Sequence, residues 1–279
     1  MTSSVARAYV YRALTNAPPE RIAGLQRHPA TGWAMAIAHA VVAGGPVSIA
    51  EGPARNLLLS GARLPLDHVQ GFAVVRGLLE APVQEALRRT VARGSVVYDA
   101  GANLGFFTLL AARLTGPTGR VEAFEPLPAS AAAVRANAAL NGFDQVAVHQ
   151  AALGRETGRG EFLAVAEPSQ SHLCDRGRHP DTRDVLDVEV LALDDLVGSG
   201  RLPPPDVLKI DVEGSEIAAL EGARDVLRNH GPAVVCETHE TNREVHDLLV
   251  ELGYSVENLE GPEPVPEAGP THILARPRG

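Results

Sequence analysis

The sequence predicts an α/β fold built on a mostly parallel sheet of seven strands. From Ser95 onward, apolar runs of strand length alternate with segments of helical periodicity, the pattern of successive β–α–β units. Gly101 follows the first of these runs, in a turn that opens a helix. The last two runs are joined by a Gly- and Pro-rich segment at 259–270 without a helical pattern. The sheet is therefore expected to end in an antiparallel hairpin.

The individual elements follow from the same patterns. Thr241 and Glu244 have the spacing of a capping box and predict the start of the last helix, and Asn141–Gly142 predicts the end of the second. The strands are expected near 95–99, 120–124, 146–150, 206–210, 232–238, 254–259 and 271–275, and the helices near 104–114, 128–140, 215–229 and 243–252.

An insertion at 155–200 interrupts the α/β domain, which is expected to span 94–279. It has strand-like pieces at 160–165 and 186–190 around a middle rich in Ser, His, Arg and Asp. Long polar segments inside compact domains are usually lids, binding loops or disordered stretches. The insertion therefore predicts one of these beside the sheet.

Residues 1–93 predict an N-terminal helical and extended extension that covers the substrate or forms an oligomer contact. Its extended pieces are expected around 46–60 and 72–79. The apolar run Trp33–Val42 is much too short to cross a bilayer and indicates a buried helix or a contact face. A homodimer and no membrane association are the corresponding expectations.

Composition and charge exclude several classes of partner. With 45% hydrophobic residues in 279, the chain can bury a sizeable core. Its net charge of −9 is uneven, because 1–93 holds 10 Arg and 5 acidic residues whereas the remainder holds 15 basic and 29 acidic residues. An acidic domain is a poor match for RNA or DNA, whose binding depends on neutralising phosphates. We expect no nucleic acid partner and a small-molecule substrate instead.

The two cysteines, Cys174 and Cys236, indicate neither a disulfide framework nor a zinc site, since they are far apart and lack metal-ligand spacing. The first 16 residues have no continuous apolar core of the kind found in a secretory signal. A cytoplasmic location is expected.

The turn after the first strand, within 96–106, predicts a cofactor site. Gly101 allows a sharp turn and a close backbone approach, and the following helix directs unpaired N–H groups at a ligand. A dinucleotide fingerprint needs two further glycines, but their positions hold Asn103 and Phe106. S-adenosylmethionine fits better, because Asp99 and the loop amides suit its ammonium and carboxylate while Glu125, at the end of the second strand, suits its ribose diol. An ordinary α/β turn, with Asn103 as a helix N-cap, is the alternative.

A second constellation lies at 208–216, where a strand ends among carboxylates. Side chains alternate along a strand, so Lys209, which is the single lysine of the chain, shares a face with Asp211 and is expected to pair with it. Asp211, Glu213 and His239 are the candidate general bases, although His239 could be a capping or structural residue. Asp211, Glu213, Glu237 and His239 would also suit Mg²⁺. We expect no metal and keep a divalent ion as the alternative.

Four segments together resemble a known family: 98–105, 124–126, 193–196 and above all 208–216. In this order they are similar to the FkbM family of S-adenosylmethionine-dependent methyltransferases, over about 94–275. The resemblance implies a class I methyltransferase (Rossmann-like) fold and, commonly, O-methylation of natural products, sugars or glycans. The predicted cofactor-binding residues are Asp99, Gly101, Ala102, Asn103, Gly105, Phe106, Glu125, Pro126, Ala152 and Asp211.

The predicted function is therefore S-adenosylmethionine-dependent O-methylation of a hydroxyl on a small natural product or sugar-like acceptor. An N- or C-directed methyltransferase, a non-catalytic module that binds the cofactor or a partner, and a reductase are the alternatives. The prevalence of Arg over Lys suggests a bacterial source.

Overall fold

The computed structural model describes residues 45–61, 64, 69–165, 172–173 and 182–278. The predicted contact face Trp33–Val42 and most of the polar middle of the insertion lie outside these residues. The strands of the described residues are β1 Pro46–Ser48, β2 Leu58–Ser60, β3 Val96–Ala100, β4 Arg120–Phe124, β5 Val146–His149, β6 Ala152–Leu153, β7 Gly158–Val165, β8 His172–Leu173, β9 Thr182–Leu191, β10 Val207–Ile210, β11 Ala233–Thr238, β12 Tyr254–Asn258 and β13 Thr271–Pro277.

Helices separate these strands along the chain. They are α1 Val69–Arg76, α2 Ala81–Thr90, α3 Phe106–Thr115, α4 Pro128–Leu140, α5 Leu193–Gly198, α6 Glu216–Glu221, α7 Arg224–His230 and α8 Asn242–Glu251, with a 3₁₀ turn at Val265–Glu267. Among the described residues, no helix has the length and apolar character needed to cross a bilayer.

The central sheet has seven strands in the order β5-β4-β3-β10-β11-β13-β12 within the described part of the chain. Neighbouring strands from β5 to β11 pair in parallel, whereas β13 runs antiparallel to both β11 and β12. The predicted parallel sheet with a terminal antiparallel hairpin is confirmed. This is the sheet expected of a class I methyltransferase.

Two hydrophobic cores cover the faces of this sheet. Val97 and Val207 point to the side packed by α2, α3 and the segment before β3, while Tyr98 and Leu208 point to the side packed by α5 to α8. Since alternate residues of a strand face opposite sides, a strand covered on both faces is apolar throughout. Because β3, β4, β10 and β11 are parallel, their carboxyl ends lie at one edge of the sheet, between the two cores.

The insertion and the short strand β6 that precedes it form a second sheet of four strands in the described residues, in the order β6-β9-β7-β8. β7 pairs antiparallel with β9 over most of its length, and β6 pairs in parallel with β9. The predicted strand-like pieces 160–165 and 186–190 lie within β7 and β9.

Two predicted elements are corrected by the structure. Residues 72–79 were expected to be extended, but they lie largely in α1, since a short amphipathic run does not distinguish a strand from a helix. The predicted helix 215–229 is two helices, α6 and α7, separated at Gly222 and Ala223. The Asp194 side chain accepts from the amides of Asp225 and Val226 and so starts a new helix there.

The expected helix ends are confirmed in position but not in detail. Asn141 caps α4, and Gly142 follows with a φ of +67°. Thr241 stands at the N-cap of α8, but it forms no capping box, because its hydroxyl donates to the buried carboxylate of Glu216. α3 begins at Phe106, two residues later than expected, after Gly105 at a φ of +87°.

Candidate functional site

A cavity of about 360 Å³ opens where the tips of the parallel strands meet. Its floor comes from the turn after β3 and from the ends of β4 and β10, the edge at which open α/β sheets bind their ligands. Val74, Leu79 and Glu80 line it from the segment before the sheet, and Phe162 and Leu173 line it from the insertion. The cavity thus lies between three parts of the chain.

The turn after β3 has the sharp geometry that its sequence predicts. Gly101 adopts a φ of +78°, and its amide donates to the Phe124 carbonyl over 3.0 Å. A Cβ at this position would overlap the carbonyl oxygen of Asp211. Asn103 also has a positive φ, and it is not the N-cap of α3, a position that Gly105 occupies. The turn and the tip of β10 are therefore in direct backbone contact.

Glu125 lies at the end of β4 with 5% of its surface exposed. Its two oxygens accept from the amides of Asn103 and Leu127 over 2.8 and 2.9 Å. Burial raises the pKa of Glu125 to about 7, and the two amides limit the rise. A carboxylate has about four acceptor positions, so two remain for a pair of hydroxyl donors.

Asp99 is placed differently from the expectation of direct contact with a cofactor ammonium. Its side chain is buried behind the turn and does not line the cavity. One oxygen accepts from the Thr108 hydroxyl over 2.5 Å, and the other lies 3.4 Å from the Lys209 ammonium. Gly105 likewise is not a lining residue, whereas the other predicted cofactor residues are: Gly101, Ala102, Asn103, Phe106, Glu125, Pro126, Ala152 and Asp211.

Lys209, near the end of β10, contacts Asp99, Asp211 and the glycine turn. Its ammonium lies 3.1 Å from Asp211, which is the predicted pair, and donates to the Gly101 carbonyl over 3.3 Å. It also lies 5.2 Å from the centre of the Phe107 ring. Burial opposes its charge, but Asp211 and Asp99 outweigh burial and raise the pKa of Lys209. A permanent cation therefore ties the glycine turn to the tip of β10.

Asp211 and Glu213 both line the cavity, and their pKa values differ. Burial raises the pKa of Asp211 to about 6, with Lys209 limiting the rise. Burial raises the pKa of Glu213 to about 8. Near neutral pH, Asp211 is mostly ionised and Glu213 mostly protonated. Of this pair, Asp211 can accept a proton and Glu213 can donate one.

His239, one of the predicted bases, is surrounded by carboxylates. Its ring nitrogens lie 2.9 Å from Glu216, 3.4 Å from Glu213 and 3.5 Å from Glu237. Burial disfavours the charged ring, but the hydrogen bonds to Glu216 and Glu237 outweigh it and raise the pKa of His239 to about 11. An imidazolium has no free lone pair to accept a proton. His239 instead balances the charges behind the cavity.

Two neighbouring residues, Glu80 and His272, have no counterpart in the predicted site. The His272 Nε2 lies 3.4 Å from Glu80 and 3.5 Å from Glu237. Burial opposes charge on His272, but the contacts with Glu237, Glu80 and Glu260 together outweigh burial and raise the pKa of His272 to about 10. His272 could have been found from the hairpin, because an antiparallel last strand begins at the edge where the parallel strands end. Glu80 lies in no motif.

Two overlapping groups of described side chains have the geometry to hold a divalent metal ion. Asp211, Glu237 and His239 place ligand atoms within 4.8 Å of one another, as do Glu80, Glu237 and His272, while Glu213 of the predicted set belongs to neither group. Metal ligation requires a neutral imidazole, so an ion bound here would displace the proton that the neighbouring carboxylates hold on His239 or His272. We derive no step through a metal.

The described geometry agrees with the comparison to known families. The Methyltransferase FkbM domain matches residues 99–256, more than half of the chain. The chain belongs to the FkbM methyltransferase family. The predicted resemblance is thus confirmed, and the chain is an S-adenosylmethionine-dependent methyltransferase. The matched region contains the glycine turn, Glu125 and the tips of β10 and β11.

Curated relatives of this FkbM-family chain are named as methyltransferases. It is 32% identical over 192 residues to 31-O-demethyl-FK506 methyltransferase FkbM of Streptomyces tacrolimicus, with 58% of this chain and 74% of the relative covered. It is 28% identical over 202 residues to the hexuronic acid methyltransferase AglP of Haloferax volcanii, with 70% of this chain and 79% of the relative covered.

Solved structures similar to this FkbM-family chain include methyltransferase FkbM from Methylobacillus flagellatus, with 19% identity, a TM-score of 0.45, and 75% of this chain and 54% of that chain covered. An O-methyltransferase from Bacillus cereus, in complex with SAH, has 17% identity and a TM-score of 0.45, with 70% of this chain and 79% of that chain covered.

Proposed function

We propose that this enzyme methylates a hydroxyl group of a small natural product or sugar-like acceptor by in-line transfer. The observation that carries the proposal is the position of the Asp211 carboxyl group, which lines the same cavity as Glu125. The printed names of the FK506 and hexuronic acid methyltransferases agree with acceptors of this kind. An N-methyltransferase and a non-catalytic cofactor- or partner-binding module are the alternatives.

The cofactor half of the cavity suits S-adenosylmethionine. Glu125 has two acceptor positions available for the ribose hydroxyls, beside the amides that hold it. Ala102 and Asn103 present the glycine turn to the cavity, where the amino-acid end of the cofactor would lie. When bound, S-adenosylmethionine supplies an activated methyl group on a sulfonium, so the protein's part is to align the acceptor and to take up a proton.

Asp211 is the proposed general base. Lys209 fixes its orientation over 3.1 Å, and its pKa of about 6 keeps it ionised near neutral pH while leaving it basic enough to accept a proton. Glu213, mostly protonated, would donate a hydrogen bond to the acceptor. Alignment makes the larger contribution, since well-oriented reactants gain about 7–11 kcal/mol whereas a general base contributes about 10²–10⁴-fold.

The segment before the sheet is the proposed acceptor cover. Val74, Leu79 and Glu80 line the cavity, and Phe162 and Leu173 line it from the insertion. The apolar members of this lining, Val74, Leu79, Phe162 and Leu173, would exclude water from the transfer and hold the carbon skeleton of the acceptor. Residues 1–93 would thus contribute to acceptor binding through the described part of that segment.

Mass spectrometry with isotopically labelled S-adenosylmethionine tests this function. Candidate hydroxylated metabolites are screened for a gain of one labelled methyl group, and fragmentation locates the label. A label on oxygen supports the proposal. A label on nitrogen contradicts O-methylation, and the absence of transfer to any acceptor, with SAH still bound, supports a non-catalytic module.

The role of Asp211 is tested separately by its pH dependence. Asp211→Asn should lower kcat by about 10²–10⁴-fold, because the amide cannot accept the proton. The exposed Asp195 on α5 offers a matched control, since Asp195→Asn changes the same groups away from the cavity. In the unchanged enzyme, kcat should fall below a pH of about 6, whereas a fall below about 8 would assign the base to Glu213.

A further inference from the structure

A line of buried polar contacts begins in α3, outside the cavity, and ends at the glycine turn. The fully buried Thr108 hydroxyl donates to one oxygen of Asp99 over 2.5 Å. The other oxygen of Asp99 lies 3.4 Å from the Lys209 ammonium. Lys209 in turn donates to the Gly101 carbonyl over 3.3 Å and to Asp211 over 3.1 Å. Thr108 is therefore connected to the turn, although it does not line the cavity.

The Asp99 carboxylate depends on Thr108 for its hydrogen bonding. Asp99 is 1% exposed, and within the described part of the chain Thr108 is the one hydrogen-bond donor to its carboxylate. The oxygen that faces Lys209 is at ion-pair distance but has no hydrogen bond among those residues. A hydroxyl that donates to a carboxylate at about 2.5–2.7 Å forms a charge-assisted bond, about twice as strong as a neutral one. The Thr108 hydroxyl therefore fixes the direction in which the carboxylate faces Lys209.

The position of the Lys209 ammonium depends in turn on Asp99. Lys209 is 4% exposed, so its charge is balanced by Asp99 and Asp211 rather than by water. If the Asp99 carboxylate turned away, the ammonium would be drawn toward Asp211 alone and would lose its place at the Gly101 carbonyl. The glycine turn would then adopt other conformations before the cofactor binds, and ordering it again on binding costs affinity.

We propose that Thr108 is a positioning residue for S-adenosylmethionine binding, which acts through Asp99 and Lys209 to hold the glycine turn in its binding conformation. The inference rests on the proposed cofactor half of the cavity and is independent of the acceptor. It also assigns an indirect part in cofactor binding to Asp99, which lies behind the turn. Thr108 itself contacts neither the cofactor nor the acceptor.

A second buried threonine in α3 offers a matched control. Thr115, the last residue of the helix, is also fully buried, and its hydroxyl also donates over 2.5 Å. Its acceptor is the carbonyl of Ser95, which precedes β3, whereas the glycine turn follows β3. Valine replaces the hydroxyl by a methyl group, so Thr108→Val and Thr115→Val each leave one buried acceptor without its donor. Both variants should lose stability, but only Thr108→Val should lose affinity for the cofactor.

Titration calorimetry with SAH tests the proposal without any acceptor, and thermal denaturation measures the stability of the same proteins. Thr108→Val should bind SAH at least about threefold more weakly than the unchanged enzyme, because Asp99 loses its donor. Thr108→Ser keeps the hydroxyl and should bind SAH with an affinity within about threefold of the unchanged enzyme. Thr115→Val should also stay within that range, even though its melting temperature falls.

A double-mutant cycle tests the route through Asp99. If the hydroxyl acts on the turn through this carboxylate, adding Thr108→Val to Asp99→Asn should weaken SAH binding by less than about threefold. A further loss of about threefold or more would overturn the route. Should Asp99→Asn not fold, the comparison of Thr108→Val with Thr108→Ser and Thr115→Val still decides the proposal.

Each other outcome overturns a distinct claim. An unchanged SAH affinity in Thr108→Val, or an equal loss in Thr115→Val, overturns the positioning role and leaves Thr108 a part of the helix packing. A loss that Thr108→Ser shares overturns the role of the hydroxyl. If the unchanged enzyme binds no SAH, the proposed cofactor half of the cavity is wrong and this inference with it.

Discussion

Glu125 connects the binding of the cofactor to pH at the scale of a single residue. Its pKa is raised to about 7 by burial, so about half of the molecules have it ionised at that pH. A ribose diol donates two hydrogen bonds, which the ionised carboxylate accepts better than the neutral acid. Cofactor binding should therefore favour the ionised form and release a proton.

The first prediction is that SAH binds about tenfold more weakly at pH 6 than at pH 8, because about nine-tenths of Glu125 is protonated at the lower pH. Titration calorimetry in buffers of different ionisation enthalpy measures both the affinity and the proton release. Glu125→Gln should weaken binding and remove this pH dependence.

The exposed Glu161 on β7 provides the control, since Glu161→Gln should retain the dependence. A wild-type affinity that is the same at both pH values would contradict the role of Glu125.

The sequence predicts the site residues whose place is set by a single strand and the turn that follows it. Gly101, Glu125 and the Lys209–Asp211 pair follow from a turn, a strand end and the alternation of side chains. Glu80 and His272 do not, because their contact requires that the segment before the sheet and the terminal hairpin meet at one edge. The protonation of His239 depends on Glu237, in the strand that ends just before it, and also on Glu213 and Glu216, which follow β10, and a local pattern does not reveal the contact with those two.

At the scale of elements, the contact between the glycine turn and the tip of β10 restricts which residue can occupy position 101. Gly101 and Gly142 both have positive φ values, but a Cβ at Gly101 would overlap the Asp211 carbonyl whereas one at Gly142 would meet nothing within 4 Å. The two glycines therefore separate backbone strain from steric overlap.

The second prediction uses this pair. Gly142→Ala should cost about 1–2 kcal/mol of unfolding free energy from strain alone. Gly101→Ala should cost about 1–3 kcal/mol more, because β3 and β10 must move apart, and should also weaken SAH binding. Urea denaturation and calorimetry measure these quantities. Equal losses of stability in the two variants would show that the contact does not constrain the turn.

The sequence predicts the seven sheet strands well because each is an apolar run between polar turns. It fails at 72–79 and at the break between α6 and α7. The first run is too short for its period to identify it as helical. The break between α6 and α7 depends on the carboxylate of Asp194, which accepts from amides in the first turn of α7. Asp194 precedes that helix by about 30 residues, so the local sequence of the helix does not reveal the contact.

At the scale of the whole molecule, buried groups with raised pKa values make stability fall as pH rises above about 5, whereas the lowered pKa of Glu237 makes stability depend on pH only below its unfolded value of 4.5. The raised pKa values of Asp211, Glu125 and Glu213, at about 6, 7 and 8, favour folding below the unfolded values near 4 and lose this contribution as pH rises through them. His239 and His272 stabilise the fold below about 6.5 and lose that contribution as pH rises through about 10 and 11.

The third prediction is a thermal unfolding midpoint that falls by several degrees between pH 5 and pH 10 in the protein without ligand. Glu213→Gln should make the decline shallower between pH 5 and 8, since the amide does not titrate. Scanning calorimetry across this range measures both. A midpoint that rises with pH over the same interval would contradict the assigned shifts.

The overlap that forbids a side chain at Gly101 also indicates where this enzyme can be redesigned. The glycine turn that would hold the methyl donor is in backbone contact with the segment that carries Asp211, the proposed base. A change in the backbone of either segment would therefore displace the other. The side chains of Val74, Leu79 and Phe162 also line the cavity, but they belong to neither the glycine turn nor the tip of β10. New acceptor preferences are best sought by varying those three positions while the strand tips stay untouched.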